Sequence, residues 1–213
     1  MRTDDLIKAI AADAKTVEPP IGQTLAMAVG AGTLISALLF LWALGIRDNF
    51  MDSIATSVRF AFKFVLTLSV AIPAFLLVRG LARPDFKPDG RLWWLALAPA
   101  LLLAGIIGEM MVLPADTWKA RMIGQNSVYC LIVIPILSLA PLAAVLYALR
   151  KGAPTHPVTA GAVGGLLSAG IAATLYAAHC PDDSPLFLAA WYTIGVVVMT
   201  GVGALLGSRM LRW

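Results

Sequence analysis

Six long apolar runs, separated by short polar connectors, constrain the fold of this chain more than any other feature. An α-helix rises 1.5 Å per residue, so about 20 apolar residues cross the roughly 30 Å hydrocarbon core of a bilayer. Each run is about that long, and only 13% of all residues are charged, whereas soluble domains average about 25%. The runs therefore predict six membrane spans, at residues 24–46, 58–78, 92–113, 127–149, 158–178 and 186–206.

The connectors are short, and this predicts that consecutive spans are antiparallel neighbours. The fold class expected is an all-α membrane protein with six transmembrane helices in three antiparallel hairpins, preceded by a short cytoplasmic amphipathic helix. We divide the chain into an N-terminal segment (1–22), a six-helix transmembrane domain (23–208) and a tail (209–213). The first run follows a charged segment ending in Pro19 and Pro20 and has no A-x-A-like cleavage site, which indicates a retained helix.

Lys and Arg side chains predict the orientation of the spans. Cytoplasmic loops carry an excess of these residues, and a cytoplasmic N-terminus places 11 of the 16 cations inside. Only Arg47, Lys119 and Arg121 fall in the outer loops, and Arg59 and Lys63 in the outer half of a span. Both termini are therefore expected in the cytoplasm. The net charge of +4 follows from this topology and does not indicate direct contact with nucleic acid.

The two cysteines, Cys130 and Cys180, both fall near the outer ends of consecutive spans, and these ends are expected to approach each other. With this topology the thiols face an oxidising compartment, in which disulfides persist. Three interpretations are open: buried free cysteines acting as small apolar residues, a static disulfide, or a redox-active or metal-binding pair.

The stretch "HCPDDSPLF" surrounds Cys180 with polar groups. His179 is a candidate activator of the thiol, because a cationic neighbour lowers a thiol pKa. Cys130, Cys180 and His179 are also candidate ligands for a zinc-like or softer ion, although the chain has no C-x-x-C pair. Asp182 and Asp183 are alternatively simple solvated loop residues.

The N-terminal segment "MRTDDLIKAIAADAKTVEPP" is predicted to form a short amphipathic helix. Acidic residues in its first turn favour the helix dipole, and apolar residues recur at helical spacing. The segment carries four anions against three cations, whereas lipid surfaces recruit basic helices. This balance favours a protein partner, with the candidate binding residues Asp4, Asp5, Leu6, Ile7 and Ile10.

The motifs "TDDLIKAIAADAKTVEPP", "NSVYC" and "YAAHCPDDSPLFLAAWY", together with the six-span layout, resemble the NrsF family of bacterial inner-membrane anti-sigma factors. The resemblance covers essentially the whole chain. It implies a protein that sequesters an extracytoplasmic-function sigma factor and releases it under heavy-metal or oxidant stress. It assigns sigma-factor binding to the segment with Asp4, Asp5 and Leu6, and sensing to Cys130 and Cys180.

We therefore expect an inner-membrane regulator, not an enzyme, whose partners are a sigma factor, membrane lipid and, as the resemblance implies, heavy-metal ions; no cofactor is implied. A membrane thiol oxidoreductase is one alternative, but such enzymes use at least two cooperating cysteine pairs. A small transporter is another, for which ionisable groups near the midplane are expected. Glu109 and Lys63 lie in the outer half of their spans, where an ion pair or a snorkelling cation is the simpler interpretation. The small residues of "GAVGGLLSAG" and "GVGALLG" predict close helix packing.

Overall fold

The computed structural model describes residues 2–13, 19–84, 86 and 90–212, and within these residues the regular structure is helical, without strands. Two helices contain a turn of different geometry. The fifth helix starts within a 3₁₀ turn at Arg91–Ala96, and the last helix contains a π-helical turn at Leu188–Tyr192. The helices are α1 (Thr3–Asp13), α2 (Ile21–Ala43), α3 (Phe50–Thr56), α4 (Val58–Leu81), α5 (Leu92–Val112), α6 (Ala115–Ile123), α7 (Ser127–Arg150), α8 (Pro157–Ala177) and α9 (Pro185–Met210).

Six of these helices, α2, α4, α5, α7, α8 and α9, are long and apolar enough to cross a membrane. This confirms the six predicted spans and fits a multi-pass membrane protein. The bounds shift by a few residues. The first span begins at Ile21 and ends before Gly45, whose φ of 70° is a left-handed conformation that terminates helices readily in glycine.

Two short helices, α3 and α6, occupy connectors for which the sequence predicts loops. Each lacks the long apolar run by which spans are recognised. α6 follows Pro114 and stops at Gly124, which has φ 60°, and it is anchored where the Trp191 indole donates to the Met122 carbonyl (2.8 Å).

The helix core is built around α8, which packs against α9, α4 and α7, while α2 packs mainly on α7. The prediction of three hairpins of consecutive spans is not confirmed by these contacts, because α2 and α4 touch only slightly. Short connectors constrain where helices end but not which helix faces are complementary.

Close packing of α8 on α9 depends on glycines, as the sequence predicted. A Cβ atom on Gly161 would collide with the Gly203 carbonyl, and one on Gly165 with the Met199 carbonyl. The reciprocal positions Gly203 and Gly207 are equally crowded. Small residues at four-residue spacing let the two backbones approach directly, as in other membrane helix pairs.

The bundle has two distinct ends. At one end, the connectors 44–57, 113–126 and 178–184 converge, and we call it the cysteine end. At the opposite end, which we call the termini end, the Ala153 amide donates to the Ala82 carbonyl (3.3 Å). α2 begins and α9 finishes at the termini end.

Candidate functional site: the cysteine turn

Residues 178–184, which we call the cysteine turn, connect α8 to α9 at the cysteine end. Cys180 lies in this turn and Cys130 in the first turn of α7. Both are free thiols with no solvent-exposed surface. They belong to one buried cluster with Tyr176 and Tyr192, whose hydroxyls have no hydrogen-bond partner within the described part of the chain. The structure thus brings the two cysteines into one cluster, with both thiols in the free form.

The environment of Cys180 favours its thiolate form. As a hydrogen-bond donor, the neighbouring Cys130 thiol lowers the pKa of Cys180, and the positive charge of Lys63 acts in the same direction, while burial opposes them. The thiolate is the form that attacks oxidants and binds soft metal ions. Cys180, which lies outside the spans, therefore combines a lowered pKa with a fully buried side chain.

Lys63 of α4 binds the cysteine turn through its ammonium group. Its side chain is fully buried, and its ammonium donates to the Cys180 carbonyl (2.7 Å) and to the Asp182 carbonyl (3.2 Å). The same nitrogen lies 2.7 Å from Oδ1 of Asp183. The snorkelling alternative is therefore wrong for Lys63, because the carbonyls and the carboxylate satisfy the cation inside the protein.

Asp183 also pairs with a second cation from the α2–α3 connector. The Arg47 guanidinium lies 3.3 Å from its carboxylate, contacts the Ser53 hydroxyl, and stacks 4.1 Å from the centre of the buried Phe60 ring. The Arg47 amide donates to the Ala178 carbonyl (3.2 Å). Two cations on one carboxylate bind the α2–α3 connector and α4 to the same turn.

Asp182 closes the connector between α6 and α7. Its Oδ2 accepts from the Asn126 amide (2.9 Å), the Asn126 side chain (3.0 Å) and the Gln125 amide (3.1 Å). Gly124 leaves room for this carboxylate, because a Cβ there would lie 2.9 Å from the Asp182 carboxyl carbon. Asp182 and Asp183 are thus bonded, partly buried residues, and the alternative of simple solvated loop residues is wrong.

Ser184 links the turn to α5. Its hydroxyl donates to Oε2 of Glu109 (2.5 Å), which also accepts from the Leu186 amide (3.3 Å). The other oxygen, Oε1, faces Arg59 (3.5 Å) and Arg121 (3.7 Å). Of the two interpretations that the sequence left open, an ion pair is the one observed for Glu109, although neither arginine was named as its partner. Glu109 therefore joins α5 to α4, α6 and the cysteine turn at the cysteine end.

The His179 ring contacts the backbone and is not grouped with other metal-ligating side chains in this arrangement. Its Nδ1 lies 3.1 Å from the Gly45 carbonyl, which joins the turn to the end of α2. Among the described residues, no three His, Cys, Asp or Glu side chains are grouped so as to hold a metal ion. A metal site formed by Cys130, Cys180 and His179 stays a prediction that would require rearrangement.

Two polar surface pockets flank the cysteine turn. One, of about 680 Å³, is bordered by Arg59, Arg121 and Asp182. The other, of about 780 Å³, is bordered by Arg47 and His179, and both contain Pro181 and Asp183. Small polar solutes can therefore reach the outside of the turn, whereas the thiols lie beneath it.

The candidate partner-binding residues lie on α1. The helix carries Asp4 and Asp5 in its first turn, and Leu6 and Ile7 are exposed at 43% and 59%. Ile10 lies in the same helix, and its side chain, like residues 14–18, falls outside the described part. The exposed apolar side chains of α1 are available to a partner.

Sequence reasoning missed the convergence of two connectors and two helices, α4 and α5, on one turn. The lysine at position 63, inside an apolar span, was the available signal, because ionisable residues in spans usually have a partner. The partner lies more than a hundred residues away along the chain, and no local pattern indicates it.

Comparison with known proteins places the chain in a family. The model of the family described as NrsF, negative regulator of sigma F, matches residues 10–213. The chain is 36% identical to the anti-sigma-F factor NrsF of Caulobacter vibrioides and 33% identical to a probable anti-sigma-F factor NrsF of Azospira oryzae, with full coverage of both chains in each case. No solved structure matches it. The chain belongs to the NrsF family of negative regulators of sigma F.

Proposed function

We propose that this protein is a membrane anti-sigma factor that holds an extracytoplasmic-function sigma factor at the bacterial inner membrane. The observation that carries the proposal is full-length identity of 33–36% to proteins named anti-sigma-F factor. Six candidate spans supply the anchor that removes a bound sigma factor from the cytosol. The excess of cations at the termini end supports cytoplasmic termini.

The N-terminal segment is the proposed contact for the sigma factor. α1 exposes Leu6 and Ile7 and carries Asp4 and Asp5, a combination that suits an apolar groove with a basic rim. Charge complementarity would guide the encounter, and the apolar residues would supply the desolvated contact.

Co-purification tests this function directly. The solubilised protein should retain a sigma factor that is identified by mass spectrometry. Leu6→Asp should reduce affinity by at least about 2 kcal/mol, or roughly thirtyfold, because an unpaired charge is costly in an apolar contact. Lys8→Asp places a carboxylate two residues from Leu6, on the other side of the helix from the Leu6 and Ile7 stripe, and is the control. Equal binding by both variants would show that this stripe does not recognise the sigma factor.

We further propose that Cys130 and Cys180 trigger release. Their adjacent, buried position and the lowered pKa of Cys180 support a reaction in which an oxidant takes two electrons and two protons from the pair to leave a disulfide. A thiophilic metal ion that binds both thiolates would be an equivalent trigger. Either change would alter the packing of Cys180 in the turn against Cys130 in α7, and such a change can bias two states of the bundle.

Serine substitutions test the sensing step. The Cys130→Ser, Cys180→Ser double variant should hold the sigma factor in unstressed cells but fail to release it on exposure to oxidant or cadmium. His179→Ala should have a weaker effect, since its ring contacts the Gly45 carbonyl. Normal release by the double variant would return the pair to a packing role.

A further inference from the structure

α5 is the span least embedded in the protein. In its most apolar 18-residue window only 6% of residues are buried, compared with 50% for α4 and 61% for α8. It contacts mainly α4 and the first turns of α9. Burial of this size leaves little apolar packing to fix its position.

An apolar cavity of about 210 Å³ separates α5 from the core. Leu95, Ala98 and Leu102 line it on the α5 side. Leu66 of α4, Gly170 of α8 and Val196 of α9 line the opposite walls. Side chains across such a gap lose the dispersion contacts that close packing provides, so this stretch of α5 is held less tightly than the part near Gly105, which packs on Phe62 and Pro185.

In the described part of the chain, the polar contacts that hold α5 lie at its cysteine end. Within the described residues, each hydrogen bond or ion pair from α5 to another helix or turn is made by the Glu109 carboxylate. One oxygen binds Ser184 and the Leu186 amide, and the other faces the two arginines. The carboxylate is nearly inaccessible, with 1% of its side chain exposed, and hydrogen bonds to a buried charge are among the stronger ones.

We propose that Glu109 is a positioning residue through which the cysteine turn sets the place of α5. In the observed arrangement Ser184 and the Leu186 amide hold α5 against the start of α9. When the turn repacks, this anchor is lost and α5 separates from the cavity walls. α5 begins at the termini end, so its movement reaches the side of the bundle at which the N-terminal segment joins α2. The effect of this movement on sigma-factor binding rests on the function proposed above.

A photo-crosslink from the cavity measures the position of α5. Benzoylphenylalanine in place of Leu102 points from α5 toward the cavity, whose volume accommodates the larger ring. On irradiation of the full chain in membranes, it should crosslink to α8 and α9 peptides near Gly170 and Val196. Sigma-factor retention is measured on the same samples.

Three variants separate the anchor from the ion pairs. Glu109→Leu removes both, and the crosslink yield and sigma-factor retention should each fall roughly tenfold or more, the effect of losing hydrogen bonds to a charged group. Ser184→Ala removes one donor and should give a smaller fall. Glu109→Gln keeps an acceptor for Ser184 and Leu186 and should retain most of both signals. Asp116→Leu is the matched control, because Asp116 is exposed and lies outside α5.

The outcomes are separable. If wild-type protein binds no sigma factor, the proposed function fails, while the crosslink still reports whether Glu109 positions α5. An unchanged crosslink pattern in both Glu109→Leu and Ser184→Ala would overturn the positioning role. A lost crosslink with full sigma-factor retention would overturn the link between α5 and release. A defect of Glu109→Gln equal to that of Glu109→Leu would overturn the role of the turn and assign the effect to the arginine pairs.

Discussion

Replacement of Lys63 by methionine should measure how strongly the cysteine turn is held to the bundle. The change keeps an unbranched chain of similar length but removes an ammonium with three acceptors: the Cys180 and Asp182 carbonyls and the Asp183 carboxylate. Breaking a buried ion pair by removing one partner costs about 3–5 kcal/mol. Asp183 keeps Arg47 as a partner and is 20% exposed, so we expect a loss near the lower limit, about 3 kcal/mol.

The assay is reversible unfolding of the detergent-solubilised protein, followed by circular dichroism. Lys63→Met, Asp183→Asn and the double variant form a double-mutant cycle. The sum of the two single losses in unfolding free energy should exceed the loss in the double variant by about 0.5–3 kcal/mol. Arg59→Met is the control: Arg59 is 41% exposed and Glu109 keeps Arg121, so its loss should stay within about 1 kcal/mol. Equal losses for Lys63→Met and Arg59→Met, with no interaction energy in the cycle, would refute the view that Lys63 anchors the turn.

Two further predictions concern packing and topology. Gly161→Ala should destabilise the protein by about 1–3 kcal/mol, because the new methyl group meets the Gly203 carbonyl. Gly201→Ala should leave the stability unchanged, because its methyl group enters open space, with no atom within 4 Å. Equal stability of the two variants in the same unfolding assay would argue against a glycine-dependent contact. A reporter that is active only in the cytoplasm should be active after Trp213 and silent when inserted at Asp116, and the reverse pattern would place the cysteines in a reducing compartment.

The spans were predictable because hydropathy is a local property. In lipid, the backbone of each run of about 20 apolar residues must satisfy its own hydrogen bonds, and a helix does this within the run. The helix therefore forms independently of which spans lie beside it. That Glu109 and Lys63 would be paired was predictable for a related reason, since buried charges in spans need partners, but the identity of those partners was not. The glycine contact of α8 with α9 followed from small-residue spacing.

The set of contacts around the cysteine turn was not predictable, because these contacts join residues far apart in sequence. Arg47 meets Asp183, and Glu109 meets Ser184, across 136 and 75 residues. α3 and α6 lie outside the apolar runs and lack the length that identifies spans. Helix neighbours depend on matching surfaces, which explains why α2 lies on α7 despite the short connector to α4.

The late position of the cysteine turn in the chain has a consequence for biosynthesis. Lys63 and the Asp182 carbonyl that it binds are 119 residues apart, and at about 5–20 residues per second translation takes roughly 6–24 s to produce the second after the first. During that interval α4 carries an ammonium whose acceptors do not yet exist. Because Lys63 lies only five residues inside the start of α4, its long side chain can keep the charge in water at the membrane surface during that interval. It exchanges that water for the acceptors of the cysteine turn only after the fifth span has been made.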